Sequence, residues 1–174
     1  MKRLMSLVLS GIAVIALSGC GSSSDGGSGG DSGNGGSNPT TPEEIATSIV
    51  GTWATGCVNE DGESSSTTLK FENSGELIIS GAEYSAVGCN AADMEDDWDD
   101  TGRYIVGKVT KAADGKDAVE LDFDSDSGPS EDYYTMVRFD SSKLLIADGD
   151  NQSNNGDTKD KRANDFSEVA IFNK

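Results

Sequence analysis

From Gly51 onward, apolar side chains recur at every second position in short runs, and turn-forming residues divide those runs. A period of two sends successive side chains to opposite faces of a strand, so this part of the chain reads as β-sheet. Eight segments carry the pattern: 51–57, 67–72, 76–85, 102–109, 118–123, 133–139, 143–147 and 166–172. Leu69/Phe71, Leu77/Ile79, Val119/Leu121/Phe123 and Val137/Phe139 alternate cleanly, which predicts antiparallel sheet with one face in water. Groups such as Asn73-Ser74-Gly75, Asp114-Gly115-Lys116 and Asp140-Ser141-Ser142 supply the turns. One helix precedes the strands: Thr41-Pro42-Glu43-Glu44 has a capping threonine, proline at the first helical position and glutamate three residues after the cap. Ile45, Ile49 and Val50 give that helix an apolar face, and Gly51 ends it. The expectation is an all-β fold with a short N-terminal helix. An eight-stranded antiparallel up-and-down barrel, which leaves no free sheet edge, is preferred to a β-sandwich.

The preceding residues have another character. Met1-Lys2-Arg3 is a positive start, and the mostly apolar run from Leu4 to Leu17 is short for a membrane span, as in an export signal. It ends in Leu17-Ser18-Gly19-Cys20, which resembles the lipobox of bacterial lipoproteins. That resemblance implies cleavage before Cys20, a diacylglyceryl group on its sulfur and an acyl chain, palmitate in class, on its new amino group. Residues 1–19 are then the signal peptide. Residues 20–41 are the lipidated cysteine and a linker of glycine, serine, asparagine and aspartate, with too little apolar surface to offset the entropy of ordering. Residues 42–174 are the barrel domain. Gly21 stands where some lipoproteins carry an inner-membrane retention aspartate, so the expected location is the outer membrane, facing the periplasm or the cell surface.

The formal net charge is −18 with no histidine. Without Lys2 and Arg3, 11 basic residues against 31 acidic ones leave −20. Such a surface repels phosphate backbones, so nucleic acid is not an expected partner. Lack of histidine removes Ser-His-Asp, Cys-His and histidine-zinc chemistry, and no serine-lysine or paired-carboxylate motif stands out. A non-enzymatic protein without a cofactor is the expectation.

With Cys20 taken by lipid, Cys57 and Cys89 form an even pair in an oxidising compartment. A disulfide is expected, two buried free thiols being the alternative. The densest acidic run, Asp93, Glu95, Asp96, Asp97, Asp99 and Asp100, reads as a loop with carboxylates for weak Ca2+ binding or as solvated charge. Runs 122–128 and 148–152 are further acidic segments, and neither fits an EF-hand spacing.

Gly51-Thr52-Trp53 opening the first strand, eight strands in meander and the ending Phe172-Asn173-Lys174 together resemble the lipocalin-like, or calycin, barrels. The resemblance implies that Trp53 plugs one end of the barrel. It also implies an arginine late in the chain over the indole, for which Arg162 is the candidate. From it follows an expected function: a membrane-anchored lipoprotein whose barrel binds a small apolar or amphipathic ligand. The alternative is a self-packed acidic interaction module of the envelope with unspecified protein partners. Trp98, Tyr84, Tyr133 and Tyr134 are the candidate aromatic contacts at a mouth or loop, with core or sheet-surface packing the alternative for each.

Overall fold

The computed structural model describes residues 38–149 and 155–174, with the side chains of residues 148 and 167–169 outside the description. The expected signal peptide, the lipobox-like residues 17–20 with Cys20 and most of the expected linker therefore lie outside the described residues, as does Asp150 to Gln152 in the third acidic run. Helix α1 (Pro42–Ser48) starts as its sequence dictates. The Thr41 hydroxyl accepts from the Glu44 N–H at 3.3 Å, and the Thr41 N–H donates to the Glu44 carboxylate at 3.1 Å. This reciprocal cap satisfies two amides that the first turn leaves without partners. Ile49 caps the other end, and Gly51, at φ +128°, opens the first strand in a conformation that favours glycine.

Among the described residues nine strands follow: β1 (Gly51–Ala54), β2 (Val58–Glu60), β3 (Glu63–Phe71), β4 (Glu76–Tyr84), β5 (Met94–Lys111), β6 (Asp117–Ser125), β7 (Tyr133–Asp140), β8 (Lys143–Asp148) and β9 (Asp165–Asn173). All pairings are antiparallel. β3 to β9 form a meander, β9 meets β1 at Ala54↔Asn173, and β1 returns to β3 at Trp53↔Leu69, so eight strands close a ring. All eight expected strands are present, and the barrel, not the sandwich, is the observed architecture.

Two elements depart from expectation. The first strand stops at Ala54, and β2 lies outside the ring, paired with β3 alone. Between Ala54↔Thr68 and Val58↔Ser65 the first strand advances four residues while β3 advances three, so one residue bulges, beside Gly56 at φ +72°. Asp61 (φ 47°) and Gly62 (φ 95°) then turn β2 back into β3. An Asp-Gly pair with positive φ at both positions matches the twist of a two-residue hairpin. The second departure is β5, which begins at Met94 rather than Gly102, so the acidic run is strand and not loop. Aspartate is poor in isolated strands, but here the ladder to β4 runs from Tyr84↔Met94 to Glu76↔Arg103 and overrides that local preference.

The interior is one apolar cluster. Trp53, Leu69, Phe71, Leu77, Ile79, Val119, Leu121, Phe123, Val137, Phe139, Leu144, Ile146 and Phe172 are buried in it, joined by Ile45 and Ile49 from the helix. Each such side chain contributes roughly 1.5–3 kcal/mol when fully withdrawn from water. Helix α1 thus plugs the end of the barrel holding the β3–β4 and β7–β8 turns. Tyr104 of β5 packs against this cluster, partly buried and edge-on to Phe71 at 5.0 Å. A smaller cluster of Ala112, Ala118, Met136 and Ala147, with Phe166 packed against it, lies apart from the main core.

Candidate functional site

At the plugged end, Trp53 is 2% exposed. Its Nε1 donates to the Ile49 carbonyl at 2.6 Å, and its ring meets Phe139 edge-on at 5.5 Å. The cation over its face is Lys174, not Arg162, which corrects the expectation from resemblance. Arg162 precedes β9 and turns to β6 and β7 instead. Its Nη1 lies 2.6 Å from Asp122 Oδ1 and donates to the carbonyls of Leu121 at 3.2 Å and Thr135 at 3.0 Å. Lys159 Nζ approaches the other Asp122 oxygen at 3.0 Å, and that hydrogen bond raises the lysine pKa. Burial, then the nearby Asp132 and Asp124 charges, raises the Tyr134 phenol.

The opposite end carries the candidate site. The ladder places Ile79↔Asp100, Gly81↔Trp98 and Glu83↔Asp96 on the inward-facing side of β4 and β5. Ile79 is core, and period two carries that face along to Trp98. The indole lies across Gly81, where a Cβ would overlap the ring, and it packs on the core while remaining partly exposed. Tyr133, paired with the core residue Phe123, reaches the same cluster from β7. Tyr134 points the other way, toward Lys159 and Arg162, and Tyr84 ends β4 beside Met94.

The six acidic residues singled out in sequence do not share a face. Glu95, Asp97 and Asp99 are exposed on one side of β5, Asp96 and Asp100 alternate with them, and Asp93 ends a short 3-10 turn (Ala91–Asp93) before the strand. Among the described residues, no three cysteine or acidic side chains converge as a metal-holding group. Asp100 accepts from the Ser125 hydroxyl at 2.8 Å, the Ser127 hydroxyl at 3.0 Å and the Thr101 N–H at 2.8 Å. Asp132 accepts from the Ser125 N–H at 2.9 Å. These bonds fix the β6–β7 connection at the rim. Period two over an acidic run was the available signal for this division.

Cys57 and Cys89 are joined as a disulfide with Cα atoms 5.8 Å apart. It ties the bulge after β1 to the β4–β5 connection. The same connection is held by Cys89 N–H to the Ser64 hydroxyl at 3.0 Å, Ser64 hydroxyl to Ala86 carbonyl at 2.7 Å and Gly88 N–H to the Asn59 side chain at 2.8 Å.

The fold defines the class of this protein: a closed eight-stranded antiparallel β-barrel, plugged at one end by a helix and consistent with a lipocalin-like barrel. No family model, curated protein or solved structure matches the chain.

Proposed function

We propose that this protein is a lipid-anchored, non-enzymatic module of the bacterial envelope, displaying an acidic barrel filled by its own side chains. The observation that carries the self-packed reading is the interior cluster. Seven of the eight ring strands send buried large side chains into it, β5 adds the partly buried Tyr104 and Val106, and Ile45 and Ile49 close one end. The anchor rests on Cys20 in its lipobox-like context. Each acyl methylene contributes about 0.8 kcal/mol to membrane binding, so two or three chains hold a domain of this size at a bilayer. Cys20→Ser is expected to abolish lipidation and signal cleavage in a bacterial host. A processed Cys20→Ser protein that stays with membranes would overturn the anchor. The outer membrane, facing periplasm or surface, is the proposed location, and the charge of −18 favours basic partners over nucleic acid.

A second reading, a small apolar or amphipathic ligand at the end opposite α1, is favoured by Trp98 and Tyr133. Both are inward-facing aromatics that remain partly exposed. Native mass spectrometry of the exported barrel, residues 42–174, separates the readings. A mass equal to the polypeptide is expected for the self-packed module, and retained lipid would decide for a carrier.

A further inference from the structure

Ahead of β9, residues 155–163 run beside β7. The β7–β8 ladder runs from Val137↔Ile146 to Asp140↔Lys143. Further along β7, the Tyr134 N–H donates to the Gly156 carbonyl and the Tyr134 carbonyl accepts from the Ala163 N–H, both at 2.9 Å. Residues 155–163 therefore take the place beside Tyr134 that a neighbouring strand would hold. Gly156 also lies against the Tyr133 ring, so closely that a Cβ would overlap it.

What holds this segment is unlike what holds the rest of the barrel. Its sequence, Asn-Gly-Asp-Thr-Lys-Asp-Lys-Arg-Ala, has one apolar side chain, Ala163. Apart from its backbone bonds, its attachment centres on Arg162, which meets Asp122 at 2.6 Å, lies 3.8 Å from Glu120 and donates to the Leu121 and Thr135 carbonyls at 3.2 and 3.0 Å, with Lys159 3.0 Å from the other Asp122 oxygen. The Arg162 and Asp122 side chains are 9% and 12% exposed, so the charges meet largely out of water. A segment with little apolar burial opens at lower cost than a strand of the core.

We infer that residues 155–163 form a flap in the barrel wall, latched by Arg162 on Asp122, which opens without unfolding the ring. Opening bares the β7 edge at Tyr134 and one face of Tyr133. Because Tyr133 faces inward, the flap gives the interior a lateral entrance beside the end opposite α1.

Amide hydrogen exchange on the full chain tests this, with Tyr134 and Ala163 as reporters because their N–H groups bond across the flap. In the wild-type protein both are expected to exchange faster than the slowest amides of β3 and β4. Asp122→Asn is expected to accelerate them a further tenfold or so, consistent with loss of a charge-assisted bond, while β3 and β4 stay unchanged. Glu120→Gln is expected to give a smaller acceleration at the same two amides. The inference fails if the reporters exchange only at the global rate in wild type, or if Asp122→Asn accelerates every protected amide alike. Should Asp122→Asn not fold, the wild-type comparison and Glu120→Gln decide alone.

Discussion

The Lys174 ammonium lies 5.1 Å from the centroid of the Trp53 ring, and the Lys174 side chain also packs against Gly51. One basic residue thus covers both parts of the Gly-x-Trp start. The positive charge sits over the electron-rich face of the indole, while the glycine leaves room for its stem.

Lys174→Met keeps most of the stem and removes the charge. It is expected to destabilise the domain by about 0.5–1 kcal/mol, as an exposed cation–π contact would. Gly51→Ala should cost more, because φ +128° is strained for alanine and the new Cβ meets the lysine stem at 2.9 Å. Urea unfolding followed by tryptophan fluorescence measures both, and equal stabilities for wild type and Lys174→Met would remove the charge from the account.

Reduction of Cys57–Cys89, or the paired Cys57→Ala and Cys89→Ala substitutions, releases a loop with a sequence separation of 32. The entropy regained by the unfolded chain corresponds to roughly 3–4 kcal/mol. The urea midpoint should fall accordingly, with hydrogen exchange rising first in the β4–β5 connection.

Gly81→Ala forces the Trp98 ring from its seat, because the new methyl group occupies the indole position. A cost of about 1–3 kcal/mol is expected from overpacking, together with a red shift of tryptophan emission as Trp98 moves toward water. The double substitution Gly81→Ala with Trp98→Ala should recover part of the loss. No recovery would separate the glycine from the indole.

Asp114 links a turn to β7. Its carboxylate takes two hydrogen bonds from Arg138, at 2.9 and 3.1 Å. These, with the Lys116 N–H, lower its pKa to about 2. The folded value lies below the unfolded one, near 3.9, so the contribution is complete above the ordinary aspartate range and disappears as pH falls toward 2. The stability difference between wild type and Asp114→Asn should therefore be constant above about pH 5 and shrink between about pH 4 and 2. Carboxyl carbon shifts of Asp114 followed by NMR should show the late titration directly.

Much of the barrel was legible because burial and strand period coincide. Leu69/Phe71, Val119/Leu121/Phe123 and Val137/Phe139 alternate in sequence, and the same residues form the interior. The capping residues Thr41, Pro42 and Glu44 marked α1 because their bonds are local. The candidate end was less visible. Trp98 stands in a run of aspartates that reads as loop, and its inward direction follows from its pairing with Gly81 on the neighbouring strand β4.

By itself, the sequence determined what local physics can carry: where the helix starts, which residues alternate into a core, and a surface dominated by negative charge. Tertiary structure decided that the ring closes at Ala54 and Asn173, that β2 stands outside it, and that β5 absorbs the acidic run. It also decided which basic residue meets which partner. Lys174 continues from β9, which pairs beside β1 and so brings it to Trp53, whereas Arg162 is carried across β7 to Asp122. A cation finds its partner through the path of the backbone around the barrel, and that path depends on the register of all the strands together.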